Sequence, residues 1–144
     1  MQSDESTGSL KVGMESEWAE MLTSMLVYAR NTMGLQFNKV APNNEPDLMA
    51  YPEGIHIPTA SQYVTALHKL ALRLDSAGMG DIGLVGPDLS IGGTTYMPQL
   101  MADSVVMAKL KHFGLHGYTA GGGASSGVRS YILGSAYPNK TFWM

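Results

Sequence analysis

Four times along the chain, a stretch with helical apolar spacing gives way to a short apolar run that ends in turn-forming residues. From Ser16, the residues Trp18, Met21, Leu22, Met25, Leu26, Ala29 and Met33 recur at spacings of three and four, the period of an amphipathic helix. Gly34 supplies its stop, and residues 35–41 (LQFNKVA) have the length and composition of a strand. Pro42-Asn43-Asn44-Glu45-Pro46-Asp47 closes that run, because two prolines and two asparagines disfavour further pairing. A loop rich in Pro and Gly covers 51–58. Helical spacing then returns at Tyr63, Val64, Leu67, Leu70, Ala71 and Leu74 and stops at Gly78 and Gly80. Residues 81–85 form the second expected strand, ended by Gly86-Pro87-Asp88. The spacing predicts a third helix over about 98–112, with Leu100, Met101, Val105, Ala108 and Met107 or Leu110 on its apolar side. A third strand is expected at 114–118, before Gly121-Gly122-Gly123. A fourth helix at about 126–135 leads to a fourth strand at 140–144. Residues 1–14 are polar and without period, and read as loop.

Alternation of this kind argues for parallel strands joined by right-handed helical crossovers, an α/β fold. Periodicity alone leaves two arrangements open, a closed barrel and an open doubly wound sheet. The 144 residues suffice for one domain with a sizeable core, but a complete (β/α)₈ barrel typically needs about 250. Hydrophobic residues at 44% against 15% charged describe a globular chain and not a disordered one. The net charge of −3 gives no electrostatic reason to expect nucleic acid or an anionic membrane surface as partner. The absence of cysteine removes disulfides and thiolate metal sites. No stretch approaches the ~20 apolar residues of a membrane span. The first residues are polar and acidic and lack the basic and apolar regions of a signal peptide. If the full protein is secreted, its signal lies outside this chain.

In a parallel α/β sheet, ligands bind at the carboxyl ends of the strands, and the residues there carry the argument about chemistry. Asn44 and Glu45 follow the first expected strand, and Asp88 follows the second. His116 and Tyr118 stand two apart on the third, hence on one side of it. Trp143-Met144 closes the fourth. A carboxylate, an amide, an imidazole, a phenol and an indole on one rim suit a carbohydrate, which needs directional hydrogen bonds for its hydroxyls and a flat aromatic for its C–H faces.

These strand ends bear a family resemblance. Asn44-Glu45-Pro46 at a strand end resembles the Asn-Glu-Pro signature of the clan of retaining (β/α)₈ glycoside hydrolases, where it closes the fourth barrel strand and its Glu is the acid/base. His116-Gly117-Tyr118 resembles the His-x-Tyr of the sixth strand. The segment 137–144 (YPNKTFWM) resembles the approach to the seventh, where the nucleophilic Glu usually follows. The phrasing is most similar to glycoside hydrolase family 30, with families 5 and 39 as alternatives. The resemblance implies that residues 1–144 are a partial TIM-barrel catalytic domain, from about the fourth to the seventh strand, cut before the nucleophile. No Glu occurs after Glu53, whereas retaining hydrolysis needs two carboxyl groups about 5–5.5 Å apart.

The implied activity is hydrolysis of a β-linked O-glycoside with retention, on an oligo- or polysaccharide, by a parent enzyme that is extracellular or periplasmic. Glu45 is its general acid/base, Asn44 bonds the sugar 2-hydroxyl, and Tyr118 bonds the nucleophile. His116 lines the subsite, and Asp88 and Trp143 touch substrate. The fragment alone would be inactive, and the rest of the barrel would come from missing sequence. The alternative is a non-catalytic carbohydrate-binding relative that keeps the cleft. Each residue also has a plainer role: a solvated carboxylate for Glu45, a turn for Asn44 and Asp88, half-buried strand positions for His116 and Tyr118, core packing for Trp143. His56, His68 and His112 lack metal-ligand spacing and read as surface residues. Gly121-Gly122-Gly123 lacks the Lys-Ser/Thr ending of a phosphate loop, and the methionines at helical spacing read as packing. No cofactor and no metal is expected.

Overall fold

The computed structural model describes residues 3–4, 8–48, 55–90, 94–116 and 123–144, excepting the side chains of 3–4 and 123–126. The chain opens with β1 (Ser3–Asp4) and β2 (Ser9–Leu10), paired antiparallel. The expectation of plain loop over 1–14 is corrected here: Leu10 is buried and its amide donates to the His56 carbonyl at 2.8 Å, which pins the segment to the body. Four helix-strand units follow: α1 (Glu15–Asn31) with β3 (Lys39–Val40), α2 (Ala60–Ser76) with β4 (Gly83–Val85), α3 (Met97–Ala102) and α4 (Ser104–Lys109) with β5 (Leu110–Gly114), and α5 (Gly123–Leu133) with β6 (Thr141–Trp143).

The sheet has the order β3-β4-β5-β6, and every neighbouring pair is parallel. The alternation of elements therefore becomes a parallel sheet in chain order. β3, β4 and β6 are shorter than the apolar runs that announced them, while β5 keeps the expected length at a shifted position. The register shifts between Leu84 and Val85 on the β4–β5 edge. Such an irregularity bends a strand and re-aims the residues beyond it.

The α2 helix is the centre of the core. Tyr63, Ala66, Leu67, Leu70, Ala71 and Leu74 are all inaccessible, one stripe at helical spacing. Full burial of each large apolar side chain is worth about 1.5–3 kcal/mol. Thr59 caps the helix by accepting from the Gln62 amide at 3.4 Å, and Gly78, with φ of 73°, ends it in the left-handed conformation that glycine adopts freely. In α1 the stripe is partial. Trp18, Ala19 and Thr23 are buried, whereas Met25 and Met33 are exposed, so their reading as packing is corrected. Glu15, also buried, accepts from the Gly13 amide and from Gln62 Nε2 at 3.0 Å, the compensation that a buried carboxylate requires.

The third unit departs most from expectation. The single helix over 98–112 is two short helices broken at Asp103, whose side chain caps α4 by accepting from the Val106 amide at 2.9 Å. The strand then occupies Leu110–Gly114 and not 114–118. His116 consequently lies just beyond the strand, and Tyr118 falls outside the described residues. Lys140 Nζ donates to the carbonyls of Met107 and Leu110, fastening the approach to β6 onto the end of α4.

Candidate active site

The C-terminal ends of β3, β4 and β5 are tied together by their backbones. The Glu45 amide donates to the Asp88 carbonyl at 3.0 Å, the Asp88 amide to the Gly114 carbonyl at 2.8 Å, and the His116 amide to the Leu89 carbonyl at 3.0 Å. Glu45 and Asp88 are the two non-glycine residues described with positive φ, 44° and 59°. Each such conformation costs roughly 1–3 kcal/mol and persists where surrounding structure over-determines it, commonly at functional sites.

The side chains converge on one imidazole. His116 Nδ1 lies 2.6 Å from Glu45 Oε1, and its Nε2 lies 3.4 Å from Asp88 Oδ1. The three side chains are 17–21% exposed, shielded but reachable. The short contact to Glu45 is a hydrogen bond whose donor depends on the tautomer that His116 holds. Burial pushes the Asp88 carboxyl up, the charge of Glu45 adds to the rise, and His116 opposes it. The space for Asp88 depends on Gly114, since a Cβ there would stand 3.0 Å from Asp88 Oδ1 and 3.4 Å from its Cα.

A cavity of about 260 Å³ opens beside this group, lined among others by Lys39, Val85, Asp88, His116 and Trp143. Its size is near the lower end of small-molecule sites, about 300–1,000 Å³. Trp143 is 48% exposed and lies face to face with His112, centroids 4.0 Å apart and planes at 21°. Lys39 Nζ stands 5.8 Å from the indole centroid. Burial first, then the charges of Lys39 and Lys140, holds the His112 imidazole below its ordinary value.

Of the residues singled out from sequence, Glu45, Asp88 and His116 meet directly, and Trp143 shares a cavity with the last two. Asn44 is exposed next to Glu45. Its neighbour Asn43 is the buried amide, with Nδ2 donating to the Ile55 carbonyl at 3.0 Å. Sequence reasoning also missed Asp47, which accepts from the Ser90 amide at 2.9 Å and from Ser90 Oγ at 3.0 Å and so locks the loop after β3 to the loop after β4. An acid closing a Pro-rich turn was the available signal. The surface reading of His56 is corrected, while His68 and His112 are partly exposed. His56 is buried beneath the N-terminal pair through its bridge to Ser9, His68 is partly buried on Asp103 at 2.8 Å, and His112 is stacked. Among the described residues no group of three or more His, Cys, Asp or Glu could hold a metal ion. No described helix is long and apolar enough to cross a membrane.

The fold defines the class of structure this chain is similar to. No protein-family model and no curated protein matches it, but solved structures do. An endo-β1,6-glucanase is matched with a TM-score of 0.74 at 15% identity, over 93% of this chain and 29% of that one. A GH39 β-xylosidase from Caulobacter crescentus is matched with a TM-score of 0.66 at 19% identity, over 90% of this chain and 29% of that one. The four units therefore have the fold of part of a TIM-barrel glycoside hydrolase. The chain spans less than a third of the length of either neighbour.

Proposed function

We propose that residues 1–144 are part of the catalytic barrel of a retaining glycoside hydrolase in the Asn-Glu-Pro clan, phrased most like family 30, acting on a β-linked oligo- or polysaccharide. The observation that carries this reading is the Glu45 carboxyl, held at one oxygen by His116 at 2.6 Å on the carboxyl rim of the parallel sheet. With Oε1 so held, Oε2 is left to deliver a proton to the leaving-group oxygen and later to take one from water. Asn44, beside it on the rim, meets the sugar 2-hydroxyl, Tyr118 bonds the nucleophile, and Trp143 offers its exposed face to the ring. The nucleophile comes from outside these four units, in the remainder of a protein as long as the neighbours, and this chain alone has no hydrolase activity. The parent enzyme works outside the cytoplasm.

The test is the protein encoded by the complete reading frame, assayed on a panel of aryl β-glycosides with the anomer of the first-formed product read by NMR. Turnover with retention, slowed in Glu45→Gln most for the substrates with poor leaving groups, is the expected result. An inverted product, or full activity in Glu45→Gln, would remove Glu45 from this role.

A further inference from the structure

We propose that Gly114 is a positioning residue for Glu45, acting through the main chain of Asp88: the bare Cα of Gly114 seats Asp88, and the Asp88 carbonyl holds the Glu45 amide. The inference rests on the reading of Glu45 as acid/base, because only then does the aim of its carboxyl matter to the reaction.

The connection crosses three neighbouring strand ends and uses backbone atoms. The Gly114 carbonyl accepts from the Asp88 amide at 2.8 Å, and the Asp88 carbonyl accepts from the Glu45 amide at 3.0 Å. On its other side, the Glu45 carbonyl accepts from the Leu48 amide at 3.0 Å. Both polar groups of the Glu45 main chain are therefore bonded, with a φ of 44° held between them. Fixing the backbone fixes the direction of the Cα–Cβ bond, and staggered rotamers then let the carboxyl reach only a few places. The place it occupies is beside His116, at 2.6 Å.

Gly114 is the least yielding member of this series. Its amide donates to the Gly86 carbonyl at 3.0 Å on the β4 side. On the β6 side it pairs with Trp143, whose carbonyl accepts from the Leu115 amide at 3.1 Å. A Cβ at position 114 would stand 3.0 Å from Asp88 Oδ1 and 3.4 Å from both Asp88 Cα and Cβ, the three nearest atoms. Contacts this tight require the neighbour to give by a few tenths of an ångström. Asp88 is the neighbour that gives, since it lies in a loop and already holds a left-handed φ of 59°. Its carbonyl travels with its Cα. The Glu45 amide then either loses part of its bond or follows, and in both cases the carboxyl at the end of the side chain swings away from its aim.

The experiment compares Gly114→Ala with wild type by two readouts. In ¹H–¹⁵N spectra of this chain, the Glu45 amide should move together with that of Asp88, while the amides of Leu74 and Val106 stay in place. In the complete protein, aryl β-glycosides with poor leaving groups should turn over about 3–10-fold more slowly, a fraction of the ~10²-fold that a 1 Å misplacement can cost. Good leaving groups should be spared and KM little changed. A variant that is only less well folded would lose turnover equally on every leaving group. In an Asp88→Gly background, which removes the Cβ and Oδ1 that the methyl strikes, Gly114→Ala should move the Glu45 amide less than it does in wild type. Should Gly114→Ala not fold, Asp88→Ala tests the same link from the other side. Alanine holds a left-handed φ less readily than aspartate, so the carbonyl and the Glu45 amide should move. A Glu45 amide that stays while that of Asp88 moves, an equal loss of turnover on all leaving groups, or an undiminished shift in the Asp88→Gly background would overturn the proposal. Failure of the acid/base reading appears elsewhere, as full activity of Glu45→Gln in the complete protein, and leaves these amide shifts unchanged.

Discussion

The amide of Glu45 donates to the carbonyl of Asp88 at 3.0 Å, so the two acidic residues of the rim are joined through their backbones as well as through His116. Both hold left-handed backbone, and the bond between them is one reason that neither relaxes. The rim behaves as one piece of covalent and hydrogen-bonded structure, and substitutions that disturb one loop should be felt in the other.

Gly114→Ala is the mildest such disturbance. Its methyl would press on Asp88 at both Oδ1 and Cα, and the Cα belongs to a backbone bonded on either side. Overpacking of this kind typically costs about 1–3 kcal/mol. Urea unfolding of the variant should show a lowered midpoint with unchanged slope, and the Asp88 and His116 signals should shift. Wild-type stability would mean that the loop after β4 yields freely.

Tyr63 offers the opposite case. Its hydroxyl is fully buried and finds no hydrogen-bond partner among the described residues, and burial pushes the phenol above its ordinary value. Leaving such a group unsatisfied costs about 1–3 kcal/mol, so Tyr63→Phe should be neutral or stabilising. A Cβ on Gly86 would stand 2.7 Å from the same oxygen. Gly86→Ala should therefore destabilise alone and much less in the Tyr63→Phe background. Strict additivity of the two changes in a double-mutant cycle would disprove the clash.

Asp103 links stability to pH. Burial opposes its ionisation, but the Val106 amide and His68 outweigh that and hold the carboxyl below its ordinary value. A carboxyl depressed by folding stabilises above its unfolded value, and that contribution is lost as pH falls through the folded one. Loss of a helix cap typically costs about 1 kcal/mol. Asp103→Ala should show a deficit near that size at pH 7, shrinking as pH drops below the usual Asp range. A deficit independent of pH would assign the effect to helix propensity instead.

In the complete protein, Glu45→Ala should slow aryl glycosides with poor leaving groups far more than those with good ones, since a good leaving group departs without a proton. General acid/base assistance is typically worth about 10²–10⁴-fold. The same residue activates water in the second step, so a glycosyl-enzyme should accumulate and azide should restore turnover with retained configuration. Equal slowing across leaving groups, with no rescue by azide, would count against the assignment.

What could be read from the chain itself divides along physical lines. The α2 helix was legible because Tyr63, Leu67, Leu70, Ala71 and Leu74 keep helical spacing up to the stop at Gly78, although Val64 is only partly buried and the buried Ala66 was missed. The third unit was not, because Val105, Val106 and Met107 run on toward Leu110 and Phe113 with apolar spacing that suits helix and strand alike. Asp103-Ser104 was the capping signal that would have moved the boundary. Glu45, Asp88 and His116 were each visible as strand-end residues. The ring of one bridging the carboxyls of the other two was not, since 71 residues separate Glu45 from His116 and only the sheet order brings them together. His56 looked exposed because nothing local announces that Ser9 pairs with it.

The sheet order also determines how this molecule breathes. Within the four-strand sheet, β3 and β6 have one neighbour each, while β4 and β5 have two. Local opening should begin at the outer strands, with amide hydrogen exchange fastest at Lys39–Val40 and Thr141–Trp143. The Gly86 amide donates to the His112 carbonyl and the Gly114 amide to the Gly86 carbonyl, so the ladder that seats Asp88 exchanges with the protected interior. The Asp88 side of the rim would then keep its shape while Glu45, carried by the loop after β3, moves with that margin of the sheet.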